Sequence, residues 1–538
     1  MKKNLIIIFL LIGILLGLFV YFKFFNDIKF LNNKNINFLP KDDPSFYSFY
    51  LKFLKSQFKD NSYKKLFDLY SNFLIKEHFS LLNIFLLYLK NPNIFNYLEE
   101  FLKLFNQMSL VAIFPEENEE LNFLLSFLGE NSQKNYLIIF QDPLIERPSG
   151  GIFLAYAFLK IDKNTYEIKG SHIIDFDLIF PKNYLPYPIL SSFSDALMFH
   201  DLGWYLDMIL NREILEIIEN QFNFSENSFD GLIFVNLDSF KNLLEITGPF
   251  KVKNKEINSL NVVSVLRENL FLGFKSYQSK DSSVFFDSFL KETLNKIKDL
   301  DEEKLLFLAQ FLKESIEKKD IQIVFKEEKM NQFLKKKKLI LDDFSFFDDY
   351  IGIAFVSNKE NKENNLDEDF SFKKLQLNSH IFKEKTENQL LISFKNDYYL
   401  KIYLPEDVTI EKVENCFLRN YLKNSLNLSF WPASYDRRTY DLEKKIEIYK
   451  ENEKTVIGCY GQKNKEVKII YSLNKGEDYL KEKGKWQIFF QKQSGQNVVF
   501  SYNLENYNQL GLRPTLFPLN KDFLLEKDLE VNFYLNPE

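Results

Sequence analysis

The chain has 538 residues, of which 46% are hydrophobic and 17% aromatic, so it can bury more than one core and we expect roughly two to four folded units. Its net charge of -6 is spread over interleaved lysines and glutamates, which argues against nucleic acid as the main partner. The two cysteines and four histidines show no metal-ligand spacing. We therefore expect no cofactor from local motifs.

The first predicted element is a transmembrane signal anchor over residues 1–26. Leu5 to Phe22 is an uninterrupted apolar run that is long enough to cross a bilayer as a helix. No cleavage site of the A-x-A kind follows it, which favours an uncleaved anchor over a signal peptide. Because Lys2 and Lys3 precede the run, we expect a single-pass protein of the cell membrane with the bulk of the chain extracytoplasmic. A helix buried in a soluble domain is the alternative, although such helices seldom stay apolar on every face.

A helical stalk is predicted next, over residues 42–130. Asp43 is a plausible N-cap with Pro44 at the first helical position, and the apolar residues that follow recur at helical spacing. Such amphipathic helices would pack on each other or on the following domain.

From residues 134–365 the pattern predicts a mixed α/β domain, because short apolar runs bounded by turn residues alternate with helical segments. A strand over residues 230–238 is followed by a helix whose start we expect Asp238 or Ser239 to cap. The Gly248-Pro249 pair should end this helix.

Residues 366–538 show alternating strand patterns and predict an all-β sandwich, immunoglobulin-like in architecture only. The predicted fold class is therefore α+β multidomain. Cys416 and Cys459 both lie in this part, and a disulfide between them would be permitted outside the membrane. Two buried free cysteines are equally compatible with the sequence.

The most distinctive motif is Glu146-Arg147-Pro148-Ser149-Gly150-Gly151. Proline fixes φ and the glycines can take positive φ, so a sharp turn into a strand is the favoured interpretation. Alternatively, consecutive exposed amides beside Arg147 could bind a phosphate or carboxylate. The motif lacks the lysine of a P-loop, and Ser149 is not in a G-x-S-x-G elbow, so we assign no catalytic residue.

The segment resembles domain of unknown function 4012, a family of bacterial membrane-anchored proteins with the hallmark E-L-R-P-T-G-G-F, here ERPSGGIF. "FDGLIFVNLDSFKNLLEITGPF" is similar to a second family motif, and "HDLGWYLD" partly matches a third, with His200 in place of arginine. The resemblance covers roughly residues 135–375 and implies no established activity. The further matching positions are Asp201, Trp204, Asp207, Asp230, Gly231, Ile233, Asp238, Thr247, Gly248, Pro249, Asn358 and Lys362.

The motif order is also distantly similar to the LytR-CpsA-Psr transferases, which move polymers from a pyrophosphate-linked lipid to the cell wall. This likeness implies that Arg147 and Arg212 clamp a pyrophosphate. Asp175, Asp177 and Asp201 would then hold a divalent cation such as Mg²⁺. The transferases present several arginines, whereas residues 136–221 contain only these two. Solvated acids at a strand end are the alternative for the first two aspartates, which share one face of a strand.

The expected function is therefore a noncatalytic binding or scaffold role at the cell surface, with the membrane and an envelope polymer or another surface protein as partners. The alternative is a phosphotransferase or polyprenyl-phosphate binder acting in glycopolymer attachment. These hypotheses differ in geometry, because the second requires the two arginines and at least two of the three aspartates to converge on one cleft.

Overall fold

A computed structural model describes the chain from residue 115 onwards with several gaps. The described ranges are 115–130, 132–163, 165–174, 199–222, 228–275, 279–340, 344, 347–357, 373–417, 439–441, 446–451, 453–514 and 521–535. All of them belong to one compact unit, Leu81–Glu538. The expected anchor and most of the expected stalk lie outside the described residues. Within the described ranges, no helix combines the length and the apolar character needed to cross a membrane.

A five-stranded sheet, in the order β3-β2-β1-β4-β7, forms the base of the first half of this unit. The strands of this half are β1 (Lys134–Asp142), β2 (Ile152–Asp162), β3 (Thr165–Ile173), β4 (Gly231–Asn236), β5 (Phe250–Val252), β6 (Lys255–Ile257) and β7 (Ile321–Phe325). β1 and β4 are parallel, with Gln141 opposite Asn236, and the other neighbours in the five-stranded sheet are antiparallel. β5 and β6 form a separate hairpin. The mixed α and β character predicted for this half is confirmed.

Seven helices accompany these strands in the described residues. They are α1 (Pro115–Phe127), α2 (Met208–Phe222), α3 (Ser239–Thr247), α4 (Val262–Lys275), α5 (Ser279–Lys298), α6 (Glu302–Glu317) and α7 (Glu328–Lys336), and a 3₁₀ turn, Phe199–Asp201, precedes α2. Phe140 on β1, Phe240 on α3 and Phe286 on α5 belong to one core cluster between sheet and helices. Apolar residues of α3, α4 and α5 thus pack on the sheet in this cluster.

Helix α3 begins and ends where the sequence predicts, but the Asp238 side chain does not cap it. Gly248 has a φ of 80°, and its amide donates to the Leu244 carbonyl at 2.9 Å. Asp238 occupies the N-cap position with helical backbone angles, and its side chain makes no capping hydrogen bond. Its carboxylate instead lies 3.3 Å from the Arg267 guanidinium, so a long-range ion pair replaces the predicted cap.

The remainder of the unit is rich in strands and contains a six-stranded and a nine-stranded sheet. Its elements are β8 (Asp349–Val356), β9 (Lys373–Ile381), β10 (Thr386–Phe394), β11 (Tyr398–Leu404), β12 (Thr409–Glu414), β13 (Cys416–Phe417), β14 (Thr439–Asp441), β15 (Ile446–Glu451), β16 (Lys454–Gly461), β17 (Val467–Leu473), α8 (Glu477–Lys483), β18 (Lys485–Gln491), β19 (Val498–Leu504), β20 (Leu512–Pro514), β21 (Phe523–Leu525) and β22 (Leu529–Leu535). One core cluster draws on both sheets, for example Phe355 from the larger and Leu377 from the smaller. The two sheets therefore share a single interior.

Two features of this strand-rich part differ from the sequence-based prediction. β8 precedes the expected boundary at residue 365, yet it lies inside the nine-stranded sheet between β11 and β18. All eight residues of β8 are buried, as expected of a central strand, but a local pattern does not reveal such distant partners. The pairs β8–β18 and β9–β19 are parallel, unlike the antiparallel sheets of immunoglobulin domains.

The two cysteines are joined by a disulfide. Cys416 lies on the short strand β13, which pairs with β16, and Cys459 lies on β16 itself. Of the alternatives that the sequence left open, the structure therefore contains the bonded pair.

Candidate functional site

The Glu146–Gly151 motif forms a buried corner between β1 and β2. Glu146, Arg147 and Ser149 are each exposed by 3% or less. Charged side chains are rarely buried to this extent unless they are paired. The partners of these groups therefore decide what the motif can do.

Arg147 is held by one carboxylate and two carbonyl groups. Its Nε and Nη2 atoms lie 2.8 and 2.7 Å from Asp201 Oδ1. Its Nη1 donates to the carbonyl oxygens of Glu146 at 2.8 Å and Ser357 at 2.9 Å. The guanidinium is thus engaged on both edges by groups of the chain itself, which leaves it poorly placed to clamp a phosphate.

Asp201, expected as a metal ligand under the transferase hypothesis, is instead the counter-ion of Arg147. Its second oxygen lies 3.1 Å from His200 Nε2. Burial alone would raise the pKa of Asp201, but His200 and Arg147 outweigh it and hold this pKa well below its usual range. The carboxylate is therefore ionised and paired inside the protein.

Glu146 links the corner to the strand-rich part. Its Oε1 lies 3.2 Å from Lys373 Nζ, and the Tyr398 hydroxyl donates to it at 3.4 Å. Lys373 is exposed by only 1%, and its ammonium group also lies over the Phe355 and Tyr398 rings, 5.1 and 5.2 Å from their centroids. A second buried ion pair thus joins the β1–β2 corner to β9.

The double glycine is required by close approach. Gly150 has a φ of 138°, and a Cβ there would lie 2.6 Å from Ser494 Oγ and 2.9 Å from Gln141 Oε1. A Cβ on Gly151 would lie 2.1 Å from the Asp142 carbonyl oxygen. A side chain at Gly151 would therefore require the backbone to move, whereas Gly150 is required by its positive φ and by the side chains that crowd it.

The amides expected to form an anion-binding nest are partly engaged by carbonyl groups. The Ser149 amide donates to the Gly203 carbonyl at 3.1 Å, and the Gly150 amide donates to the Arg147 carbonyl at 2.9 Å. The Ser149 hydroxyl accepts a bond from Gln141 Nε2 at 2.6 Å. This geometry favours the tight-turn interpretation of the motif.

A loop between β18 and β19 packs against the corner from the strand-rich side. Gln493 Nε2 donates to the carbonyl oxygens of Arg147 at 2.9 Å and Phe355 at 3.0 Å. Asn236 Nδ2 donates to Ser494 Oγ at 3.1 Å. These contacts span several hundred residues of sequence, and no local signal in the chain indicated this loop.

The "HDLGWYLD" segment contacts Lys401 on β11, which in turn pairs with Glu451 on β15. The Trp204 carbonyl accepts a bond from Lys401 Nζ at 2.9 Å, and the same ammonium group lies 3.0 Å from Glu451 Oε2. Lys401 is fully buried and lies 4.6 Å from the centroid of the Tyr205 ring. Asp207 accepts a bond from the Ile209 amide at 2.8 Å and so caps the start of α2.

Arg212 does not join Arg147. It lies on α2, where it donates to the Phe325 carbonyl and approaches Glu216 at 3.4 Å. Phe325 pairs with Gly231 at the start of β4, whereas Gly150 packs against Asn236 at its end. The five steps between these ends of β4 span roughly 16 Å. Asp175, Asp177, Asn358 and Lys362 lie outside the described residues.

Residues of the "DG…TGP" motif contact other groups of the chain itself. Asp230 Oδ2 accepts a bond from the Asn135 amide at 2.8 Å. A Cβ on Gly231 would lie 2.9 Å from both the Phe325 ring and a backbone carbonyl oxygen. Thr247 Oγ1 donates to the Leu243 carbonyl at 3.0 Å, and Pro249 is exposed beyond the helix end.

Residues 131–271 match the family model described as "Protein of unknown function (DUF4012)". This segment belongs to the DUF4012 family. The DUF4012 segment contains Arg147 and Asp201, but the partners Ser357, Lys373 and Gln493 lie beyond its end. The match therefore accounts for one side of the buried corner.

Comparisons beyond the DUF4012 segment add no functional conclusion. No curated protein matches the chain. Among solved structures, the chain is similar to the transcriptional regulator yvhJ from Bacillus subtilis, with 13% identity over 38% of this chain and 95% of that chain and a TM-score of 0.20. It is also similar to the Lin1025 protein from Listeria innocua, with 10% identity, coverages of 38% and 98%, and a TM-score of 0.19.

One ion pair within the DUF4012 segment was missed by the sequence analysis. Arg267 on α4 binds Asp142 at the end of β1 through two bonds of 2.9 Å. Burial lowers the pKa of the guanidinium, but Asp142 and Asp238 raise it by more, so the Arg267 side chain stays positively charged. Within the ranges that the structure describes, no group of three or more His, Cys, Asp or Glu side chains could hold a metal ion.

Proposed function

We propose that the chain is a membrane-anchored, extracytoplasmic protein of the bacterial envelope with a noncatalytic binding or scaffold role. The observation that carries this proposal is the pairing of the charged side chains in the Glu146–Gly151 motif and of Asp201. Arg147, Glu146 and Asp201 are buried and paired with groups of the chain itself. We call these three residues and their partners the internal clasp, because their contacts hold separate parts of the chain together. A catalytic site needs polar groups that converge on space open to a substrate.

The proposed location rests on two independent features. The apolar run from Leu5 to Phe22 is long enough to span a bilayer, and lysines precede it. The Cys416–Cys459 disulfide suits an oxidising compartment outside the cytoplasm. In this proposal, an anchor and a helical stalk carry the α/β part and a C-terminal sandwich, with an envelope polymer or another surface protein as partner.

Orientation is tested by adding a protease to intact cells that produce the full chain with a C-terminal tag. We expect loss of the tagged chain while a cytoplasmic control protein stays intact. Protection of the tagged chain in intact cells, with digestion after lysis, would refute the extracytoplasmic location.

The noncatalytic role is tested by native mass spectrometry of the full chain extracted gently from its membrane. We expect the mass of the protein without a bound lipid phosphate. A copurifying polyprenyl phosphate would instead favour the alternative, a phosphotransferase or lipid-phosphate binder. An Arg212→Ala variant run alongside would report whether the arginine outside the clasp contributes to such binding.

A further inference from the structure

Lys373, at the start of β9, is a buried lysine whose ammonium group contacts both a carboxylate and a side-chain amide. Its Nζ donates a hydrogen bond to Gln496 Oε1 and lies 3.2 Å from Glu146 Oε1. Lys373, Gln496 and Glu146 are each exposed by 8% or less. We call these three residues the lysine–amide site. An amine, an amide carbonyl group and a carboxylate thus meet inside the protein.

The orientation of the Gln496 amide follows from its second contact. Its Nε2 donates to the Pro143 carbonyl oxygen at 3.2 Å. Exchanging the amide nitrogen and oxygen would place two donors together at Lys373 and two acceptors together at Pro143. The carbonyl group of Gln496 therefore faces the lysine nitrogen. Its carbon, Cδ, is one bond of about 1.2 Å from the oxygen that Lys373 contacts.

The strand register fixes the lysine and the amide beside each other. β9 and β19 are parallel, with Lys374 opposite Val499. Lys373 directly precedes the first of these residues, and Gln496 lies in the loop that leads to the second. The pairing of the two strands therefore delivers both groups to one end of the six-stranded sheet. Such fixed placement of two reactive groups removes much of the entropic barrier to a reaction between them.

Glu146 supplies a proton acceptor at the same place. A lysine acts as a nucleophile only after its ammonium group has lost a proton. Glu146 Oε1, at 3.2 Å, is within reach of that proton, and it also accepts a bond from the Tyr398 hydroxyl at 3.4 Å. Transfer of the proton from Lys373 to Glu146 replaces two buried charges with two neutral groups, and desolvation disfavours charged forms.

We propose that Lys373 and Gln496 become joined by an isopeptide bond, which the folded chain forms without another enzyme. The lysine nitrogen forms a bond to Gln496 Cδ, and the bond from Cδ to Nε2 breaks. Glu146 carries two protons in turn from the lysine nitrogen to the departing nitrogen, which leaves as ammonium, so the Glu146 carboxylate is restored. One ammonium group and one primary amide thus become one secondary amide and one ammonium ion, and no oxidant or further reactant is needed.

The cross-link goes beyond the binding or scaffold role proposed above and is compatible with it, since the reaction occurs once in each chain and has no turnover. It would join β9 to the loop between β18 and β19 over a separation of 123 residues. A cross-link of this kind restricts the unfolded chain, as a disulfide does. The new amide keeps one N–H group that can donate to Glu146, so the contact of the β1–β2 corner with β9 is retained.

Mass spectrometry of the full chain, purified in detergent and reduced, tests the bond. We expect an intact mass that is lower by one ammonia than the sequence requires. Tandem spectra of a protease digest should contain the Lys373 and Gln496 peptides as one covalently linked species. An unreduced intact mass, or recovery of the two peptides only in unlinked form, would overturn the proposal. This measurement uses the unaltered chain, so it decides the question even if a variant fails to fold.

Three variants assign the roles within the site. Lys373→Arg keeps the positive charge but its guanidinium stays protonated, so we expect no loss of ammonia. Glu146→Gln removes the proton acceptor and should leave most chains unlinked. Lys374→Arg is the matched control, because Lys374 is partly exposed and pairs with Asp522 at 2.7 Å, and it should form the linked peptide as the unaltered chain does. Full linkage in Glu146→Gln, or its loss in Lys374→Arg, would overturn this assignment of roles.

Discussion

Replacement of Arg147 by methionine tests whether the charged residues of the Glu146–Gly151 motif stabilise the fold as an internal clasp. Methionine keeps an unbranched, apolar stem but removes two bonds to Asp201 and two to backbone carbonyl oxygens. Asp201 is exposed by only 5%, so its carboxylate would keep His200 as its only described ion partner. Removal of one member of a buried pair costs about 3–5 kcal/mol. We therefore expect the free energy of unfolding of the Arg147→Met variant to fall by about 3–5 kcal/mol.

The assay is denaturant unfolding of the full chain in detergent, followed by circular dichroism. Arg513→Met is the matched control, because Arg513 is exposed, and its unfolding free energy should change by less than about 0.5 kcal/mol. Combining Arg147→Met with Asp201→Asn should cost less than the sum of the two single changes, since the unpaired charge is removed. A loss of unfolding free energy below about 1 kcal/mol for Arg147→Met would refute the internal clasp and would again make Arg147 a candidate for ligand binding.

Three further predictions concern other parts of the same unit. Burial raises the pKa of Asp349 to about 7, although hydrogen bonds from Tyr471 and the Tyr350 amide partly stabilise the charged form. The folded state therefore holds the Asp349 proton more tightly than the unfolded state. The Asp349 carboxyl therefore lowers the free energy of unfolding as pH rises from about 4 to 7. In a series of unfolding curves at different pH, the Asp349→Asn variant should lack that decline. Equal dependence of the unfolding free energy on pH in both proteins would contradict the assignment. Gly231→Ala should lower Tm more than Gly248→Ala, as measured by calorimetry. A Cβ at Gly231 would meet atoms 2.9 Å away, whereas a Cβ at Gly248 would meet no atom and would be strained only by the φ of 80°. The reverse order of the two Tm values would contradict this prediction. Reduction of the disulfide, which spans 43 residues, should cost roughly 4 kcal/mol by chain entropy, whereas a Cys416→Ser/Cys459→Ser variant should not respond to the reductant.

Local features of the fold could be predicted from the sequence. The turn at the double glycine and the helix end at Gly248-Pro249 depend on backbone angles that few residues adopt, so neighbouring letters suffice. Most strands between β1 and β22 also coincide with short apolar or alternating runs, because side-chain direction alternates along a strand.

The partners of the site residues could not be predicted in the same way. Arg147 and Asp201 were both identified, but as separate ligands for an anion and a cation, because their 54-residue separation hides the contact. Lys373 and Lys401 resemble surface lysines in sequence, yet both are buried in ion pairs with distant glutamates. Such pairing depends on tertiary packing, which one sequence without its relatives does not specify.

The position of β8 has a consequence for how the chain can be made and divided. Its parallel partner β18 is synthesised more than a hundred residues later, so the nine-stranded sheet cannot close until almost the whole chain has emerged. Folding during synthesis would therefore leave one edge of β8 without its partner β18 while more than a hundred further residues are made. For the same reason, a recombinant fragment cut at residue 366 would lack an interior strand of its own sheet, and a fragment for biophysical work should begin before Asp349.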